Sequence, residues 1–98
     1  MELHVSKKAA ETLKNELQNS PGNCVRFFVR LGGCSTVQSG FSLGVAKDEP
    51  KHPGPQMKDS GTGLTFYIEQ EDEWFFDSHS LYVEYDEKEE TIIYEYEK

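Results

Sequence analysis

No apolar run in this chain approaches the roughly 20 residues of a membrane-spanning helix, and no signal-type hydrophobic stretch opens it. Positive charge is also sparse. Ten lysines and arginines stand against 18 aspartates and glutamates, a formal net charge of −8. Affinity for a phosphate backbone comes largely from cationic side chains that displace counterions, so a nucleic-acid partner is not expected. Cysteine is scarcer still: Cys24 and Cys34 are the only two, with nine residues between them, and fit none of the usual zinc spacings. With no secretion signal they are expected as reduced thiols in a cytoplasmic protein. No serine nucleophile of the elbow type is expected. Gly61-x-Gly63 precedes a strand rather than a helix, which does not support a phosphate cradle. His4, His52 and His79 fall in three separate elements, and carboxylates are too many to single out an acid–base couple. These gaps favour a binding domain over an enzyme.

What is present suits one folded domain over residues 1–98, with 36% hydrophobic and 12% aromatic residues to build its core. "ELHV" alternates as an edge strand would. "SKKAAETLKNELQNSPG" then reads as a helix: Ser6 is a good N-cap, and Val5 and Ala10 stand where a hydrophobic staple packs. Ala9, Ala10, Leu13 and Leu17 form one apolar stripe, and Pro21-Gly22 stops the helix. "CVRFFVRL" alternates with period two, with Val25, Phe27, Val29 and Leu31 on one face and Cys24, Arg26, Phe28 and Arg30 on the other. "SGFSLGVA" alternates again. Lys47 to Gly63, with three of the chain's four prolines, reads as a long loop. "LTFYIE" is a strand. "QEDEWFFDSHS" lacks a clean period and suits a short helical turn capped by Asp72, or an aromatic-rich bend. "LYVEY" and "TIIYEYEK" are strands joined by the charged turn "DEKEE". The acidic late segments are expected to form a solvated face. A single helix cannot cover two sheet faces. The expected fold is therefore α+β and mostly β, a sandwich or partial barrel of about six or seven strands with one N-terminal helix.

Between the second and third strands lies "RLGGCSTVQSG". Gly32 and Gly33 allow positive φ or close approach of a ligand, and Ser35 and Ser39 leave the Cys34 thiol uncrowded. A thiolate there could hold iron or a cluster, attack a disulfide or carry sulfur. An ordinary loop cysteine fits the same residues. Cys24, at the start of a strand, reads as a small half-buried hydrophobe.

Over "VRFFVRLGGCSTVQSGFSLGVA" the chain resembles the HesB/IscA-like family of iron–sulfur cluster assembly proteins. The matching residues are Arg26, Arg30, Gly33, Cys34, Ser35 and Gly40. The opening helix from "VSKKAAETL" and the later "LTFYIEQEDEWFFDSHSLYVEY" are also similar to that family. The resemblance implies a compact, HesB-like β fold and a carrier that holds iron or an iron–sulfur cluster through Cys34, commonly as a homodimer. It also implies iron–sulfur assembly or acceptor proteins as partners. The family's two further cysteines, as Cys-Gly-Cys, have no counterpart here: the corresponding stretch is "TIIYEYEK". A cluster of two irons needs four ligands, normally cysteines, and one matched thiol per chain gives a dimer two. Three readings follow: a trimmed member binding iron or a labile cluster through Cys34; a non-catalytic protein-interaction module that has lost cluster binding, with the acidic C-terminal hairpin and exposed aromatics as its docking surface; and a redox nucleophile, Cys34 beside Arg30.

Overall fold

The computed structural model describes residues 1–34 and 37–98, and of Cys34 the main chain alone. Strand β1 (Leu3–Val5) leads into helix α1 (Lys7–Glu16) at the expected cap, where Ser6 Oγ accepts the Ala9 N–H at 3.1 Å. Val5 and Ala10, the two staple positions, are both buried. Ala9, Ala10 and Leu13 join them in the core, and Leu17 packs at its margin.

Six further strands follow: β2 (Cys24–Cys34), β3 (Ser39–Lys47), β4 (Pro53–Lys58), β5 (Thr65–Glu69), β6 (Ser80–Asp86) and β7 (Thr91–Glu97). They form a three-stranded sheet in the order β1-β6-β7 and a four-stranded sheet in the order β3-β2-β5-β4. Two pairings, β1 with β6 and β2 with β5, are parallel, and the others are antiparallel. Among the described residues the result is the expected mostly-β architecture, with one N-terminal α-helix and seven strands. Alternation decides what lies between the sheets. Val25 and Phe27 of β2, Phe66 and Ile68 of β5, and Leu81 and Val83 of β6 are fully buried. Phe27 stacks on Phe66 within its own sheet and meets Tyr94 of β7 edge-on, so it bridges the two layers. At one edge the layers are tied together, where the Val5 N–H of β1 points at Met57 Sδ of β4 at 3.1 Å.

Two expectations need correction. The segment from Lys47 to Gly63 is not all loop, because β4 lies inside it and pairs with β5. Pro53 and Pro55 are tolerated because β4 is an edge strand with a register shift between Pro53 and Gln56, so a missing N–H need break no interior ladder. The aromatic segment is a 3₁₀ helix over Gln70–Phe76, and Glu69 rather than Asp72 stands at its N-cap, without a side-chain cap bond. Asp72 is drawn instead to Arg26. The charged turn after β6 is as expected, with Asp86 Oδ1 accepting the Lys88 and Glu89 N–H groups.

Tyr67 is fully buried and its hydroxyl donates to the Asp48 carbonyl at 3.0 Å. Burial, reinforced by the Asp48 and Glu69 carboxylates, pushes its phenol from 10.0 up to about 12. Burial and then Tyr94 do the same to Tyr96, also to about 12. An unfolded chain releases these protons near pH 10 and the folded one holds them, so the folded state binds more protons between the two values. Stability is therefore expected to be intact below pH 10 and to fall from there towards pH 12. Urea titrations at stepped pH, with phenolate absorbance followed alongside, check this. Stability unchanged across that window, or all tyrosines ionising at the ordinary value in the native state, would contradict it.

Candidate functional site

Gly32, Gly33 and Cys34 belong to β2 itself rather than to a separate connection, which is a further correction. Gly32 (φ 100°) and Gly33 (φ 75°) lie in the left-handed region, and the pairing with β3 shifts between Leu31 and Cys34 before closing at Cys34 opposite Ser39. This is a bulge, and two successive residues at positive φ make glycine the residue suited to both positions. The β2–β3 hairpin thus carries Cys34 at its far end. The Cys34 side chain and Ser35 lie outside the described residues.

The face of the hairpin that begins as core continues past the core. Val29 pairs with Leu43 and is partly covered; in the next pair Phe41 still packs at the margin of the core, while Leu31 opposite it does not. Leu31 is 86% exposed. Phe41 meets the ring of Trp74 edge-on with centroids 5.3 Å apart, and Trp74, on the 3₁₀ helix, is itself 53% exposed. Leu31 and Trp74 are thus large apolar side chains left open near the tip of the hairpin, Leu31 opposite Phe41 in register and Trp74 against its ring. Glu73, Asp77, Ser78 and Met1 share a surface hollow with Trp74.

The other hairpin face is quieter. Phe28 lies over Gly44 of β3, so close that a Cβ there would stand 2.5 Å from the ring. Arg26 faces away from the core and reaches the 3₁₀ helix, its Nη2 donating to Asp72 Oδ2 at 2.8 Å and Glu71 Oε1 at 3.0 Å, with Asp48 at 3.9 Å. Burial works against the guanidinium charge, but hydrogen bonding and attraction from Asp72 and Glu71 outweigh it and raise its pKa. Next to it the nearly buried Glu69 carboxylate accepts the Lys51 and His52 N–H groups. Arg26 therefore fastens the strap over residues 48–52 and the 3₁₀ helix to the sheet. Arg30, four residues on, is exposed.

Cys24 is an unpaired, half-buried thiol in a shallow cavity with Pro21, Gly22, Lys47, Asp48 and Glu49. Lys47 Nζ donates to the Ser20 and Gly22 carbonyls there. The histidines stay apart. His4 stacks on Tyr82, the His52 main chain binds Glu69, and His79 Nδ1 lies 2.8 Å from the Phe76 carbonyl at the end of the 3₁₀ helix. The G-x-S-x-G spacing does occur once, from Gly40 to Gly44. Ser42 sits in mid-strand β3, not at a sharp strand-to-helix turn, so it is no nucleophile elbow. Among the described residues no group of three or more His, Cys, Asp or Glu side chains is placed to hold a metal ion. None of their helices is long and apolar enough to cross a membrane.

Leu31 and Trp74 were not singled out from sequence as site residues. The available signal was β3 itself, since Ser39 to Ala46 carries no charge in a chain that is 29% charged.

Comparison with known proteins gives a consistent result. Residues 1–95 match the family described as iron–sulphur cluster biosynthesis. A protein of Bacillus subtilis (strain 168) named "Pyruvate dehydrogenase inhibitor" is 46% identical over 97 residues, 99% of this chain and all of that one. An uncharacterised protein of Staphylococcus epidermidis is 32% identical, covering 96% of this chain and 97% of its own. Another from Staphylococcus saprophyticus is 30% identical with the same coverage.

Proposed function

The chain belongs to the iron–sulphur cluster biosynthesis family, and from that premise we propose that it is a non-catalytic protein-binding module on the cluster-assembly scaffold. It acts in the cytoplasm by docking on a pyruvate dehydrogenase complex and lowering its activity. The observation that carries this is the apolar surface at the tip of the β2–β3 hairpin, where Leu31 is 86% and Trp74 53% exposed around the half-covered Phe41. Large apolar side chains gathered on an open surface favour a protein partner, because docking removes them from water at about 25 cal/mol per Å². The choice of partner is supported by the relative named as a pyruvate dehydrogenase inhibitor, similar over 99% of this chain and all of its own. The test is direct. Increasing amounts of the purified chain, stripped of iron by a chelator, are expected to reduce turnover of a pyruvate dehydrogenase complex; turnover unchanged at saturating protein would overturn the proposal.

The second reading, iron or a labile cluster held through Cys34, is favoured by the family match and by the placement of Cys34 at the end of a hairpin behind two left-handed glycines. One matched thiol per chain leaves a two-iron cluster short of its four ligands, so that reading takes a second copy as a homodimer, or an assembly or acceptor protein, to supply others. Reconstitution with iron and sulfide distinguishes it. Visible charge-transfer absorption that disappears in Cys34→Ser is the outcome this reading expects, and a colourless protein counts against it. A thiol pKa near ~8.5 would leave Cys34 no activated nucleophile for redox chemistry.

A further inference from the structure

Among the described residues the two sheets present four edge strands, and three of them are guarded. Strand β1 is three residues long. Strand β4 carries Pro53, Pro55 and Lys58 and a register shift. Strand β7 carries Glu95 and Glu97. These are the usual devices that stop an edge from pairing with another chain. Strand β3 has no proline; its one charge, Lys47, is its last residue, and the register shift in its pairing lies on the β2 side at the tip. From Ser39 to Ala46 it holds no charge and no proline, and its side chains are small apart from Phe41, Leu43 and Val45, which face inward. Among the described residues no strand pairs with it on the side away from β2. Its inward face at the tip is the open apolar surface formed by Leu31, Phe41 and Trp74.

From this we infer that β3 is a strand-addition site, and that its occupant is an extended segment of a partner protein with apolar side chains at alternate positions and basic residues at the end that passes Trp74. Main-chain hydrogen bonds along β3 supply affinity, and the alternate side chains lie against Phe41 and Trp74, with Leu31 of β2 on the far side of Phe41. The basic end follows from charge. Arg26 takes up Asp72 and Glu71, while Glu73 and Asp77 line the hollow beside Trp74. The chain as a whole carries −8, so a second copy meets like charge where a basic segment meets opposite charge. The inference rests on the protein-binding reading above and specifies how the docking is made.

Trp74 is the only tryptophan, so its emission reports occupancy directly. The probe is a short synthetic peptide alternating valine and threonine and ending in lysines, added to the full chain. A saturable blue shift is expected, weakened at least tenfold by Leu31→Glu and by replacing the lysines with glutamates. Leu31 is 86% exposed, so that variant does not threaten folding. Methylating every second peptide nitrogen along one edge is expected to abolish binding, and methylating the alternate set to spare it, since only one edge faces β3. Equal binding of both methylated forms, no shift with the unmodified peptide, or a sedimentation shift to dimer blocked by Leu31→Glu would each overturn the inference. The two proposals fail separately. If Leu31→Glu inhibits the dehydrogenase as well as the unaltered chain, the β3 site falls and protein binding stands. If the unaltered chain binds the peptide in the predicted manner yet leaves the dehydrogenase untouched, the β3 site stands and the dehydrogenase reading falls.

Discussion

Phe27→Ala is expected to remove about 3–5 kcal/mol of stability, the largest loss of any single substitution considered. The ring is fully buried, stacks on Phe66 in its own sheet and meets Tyr94 of the other sheet edge-on. Truncation removes the transfer energy of the ring and leaves a cavity between two layers held by paired backbones, which relax poorly into it. Domains of this kind hold about 5–15 kcal/mol in total, so the variant approaches the limit of folding. Urea denaturation reads the effect as a fall in midpoint at unchanged slope. Phe28→Ala is the control. Its ring lies on the opposite face, half-exposed over Gly44, and a far smaller loss is expected. Equal losses from the two substitutions would mean that the alternation of β2 does not set its burial.

Arg26→Met is expected to cost about 2–4 kcal/mol, near the range for breaking a largely desolvated ion pair by removing one partner. The guanidinium holds Asp72 at 2.8 Å, and that carboxylate's side chain is 12% exposed. Methionine preserves most of the packing and leaves Asp72 without its cation. Arg26→Lys restores the charge but not the planar fork that reaches Asp72 and Glu71 from one nitrogen, so partial recovery is expected. Because Arg26 also fastens the 3₁₀ helix, hydrogen exchange in Gln70–Phe76 is expected to quicken more than in β6 and β7. A uniform change over the whole chain would contradict that role and leave Arg26 with packing alone.

The family resemblance rested partly on Arg26 and Arg30, and the structure separates them. Arg26 is a structural fastener, and Arg30 is exposed. Where one local signal dominated, the sequence was readable: the Ser6 cap with its staple, the alternation of β2 and the Asp86 turn all stand where propensity and period put them. Strand β4 was not readable, since its prolines mimic a loop and only its place at the edge, a tertiary fact, makes them tolerable. Asp72 was misread for a similar reason, because an acidic residue early in a short helix resembles a cap until its cation arrives from a strand 46 positions away. The docking surface was hidden most deeply. Period two assigns Leu31 to the same face as Val25 and Phe27, and it does lie there, but the globule ends before the strand does. Alternation says which way a side chain points and nothing of whether anything covers it.

The central claim is that this cluster-assembly scaffold works through the surface of its hairpin and not through its thiol. The measurement that tests it is inhibition of a pyruvate dehydrogenase complex by the unaltered chain, Cys34→Ser and Leu31→Glu side by side. Cys34→Ser is expected to inhibit as the unaltered chain does, while Leu31→Glu is expected to lose at least tenfold in potency. Loss in Cys34→Ser with full potency in Leu31→Glu would contradict it.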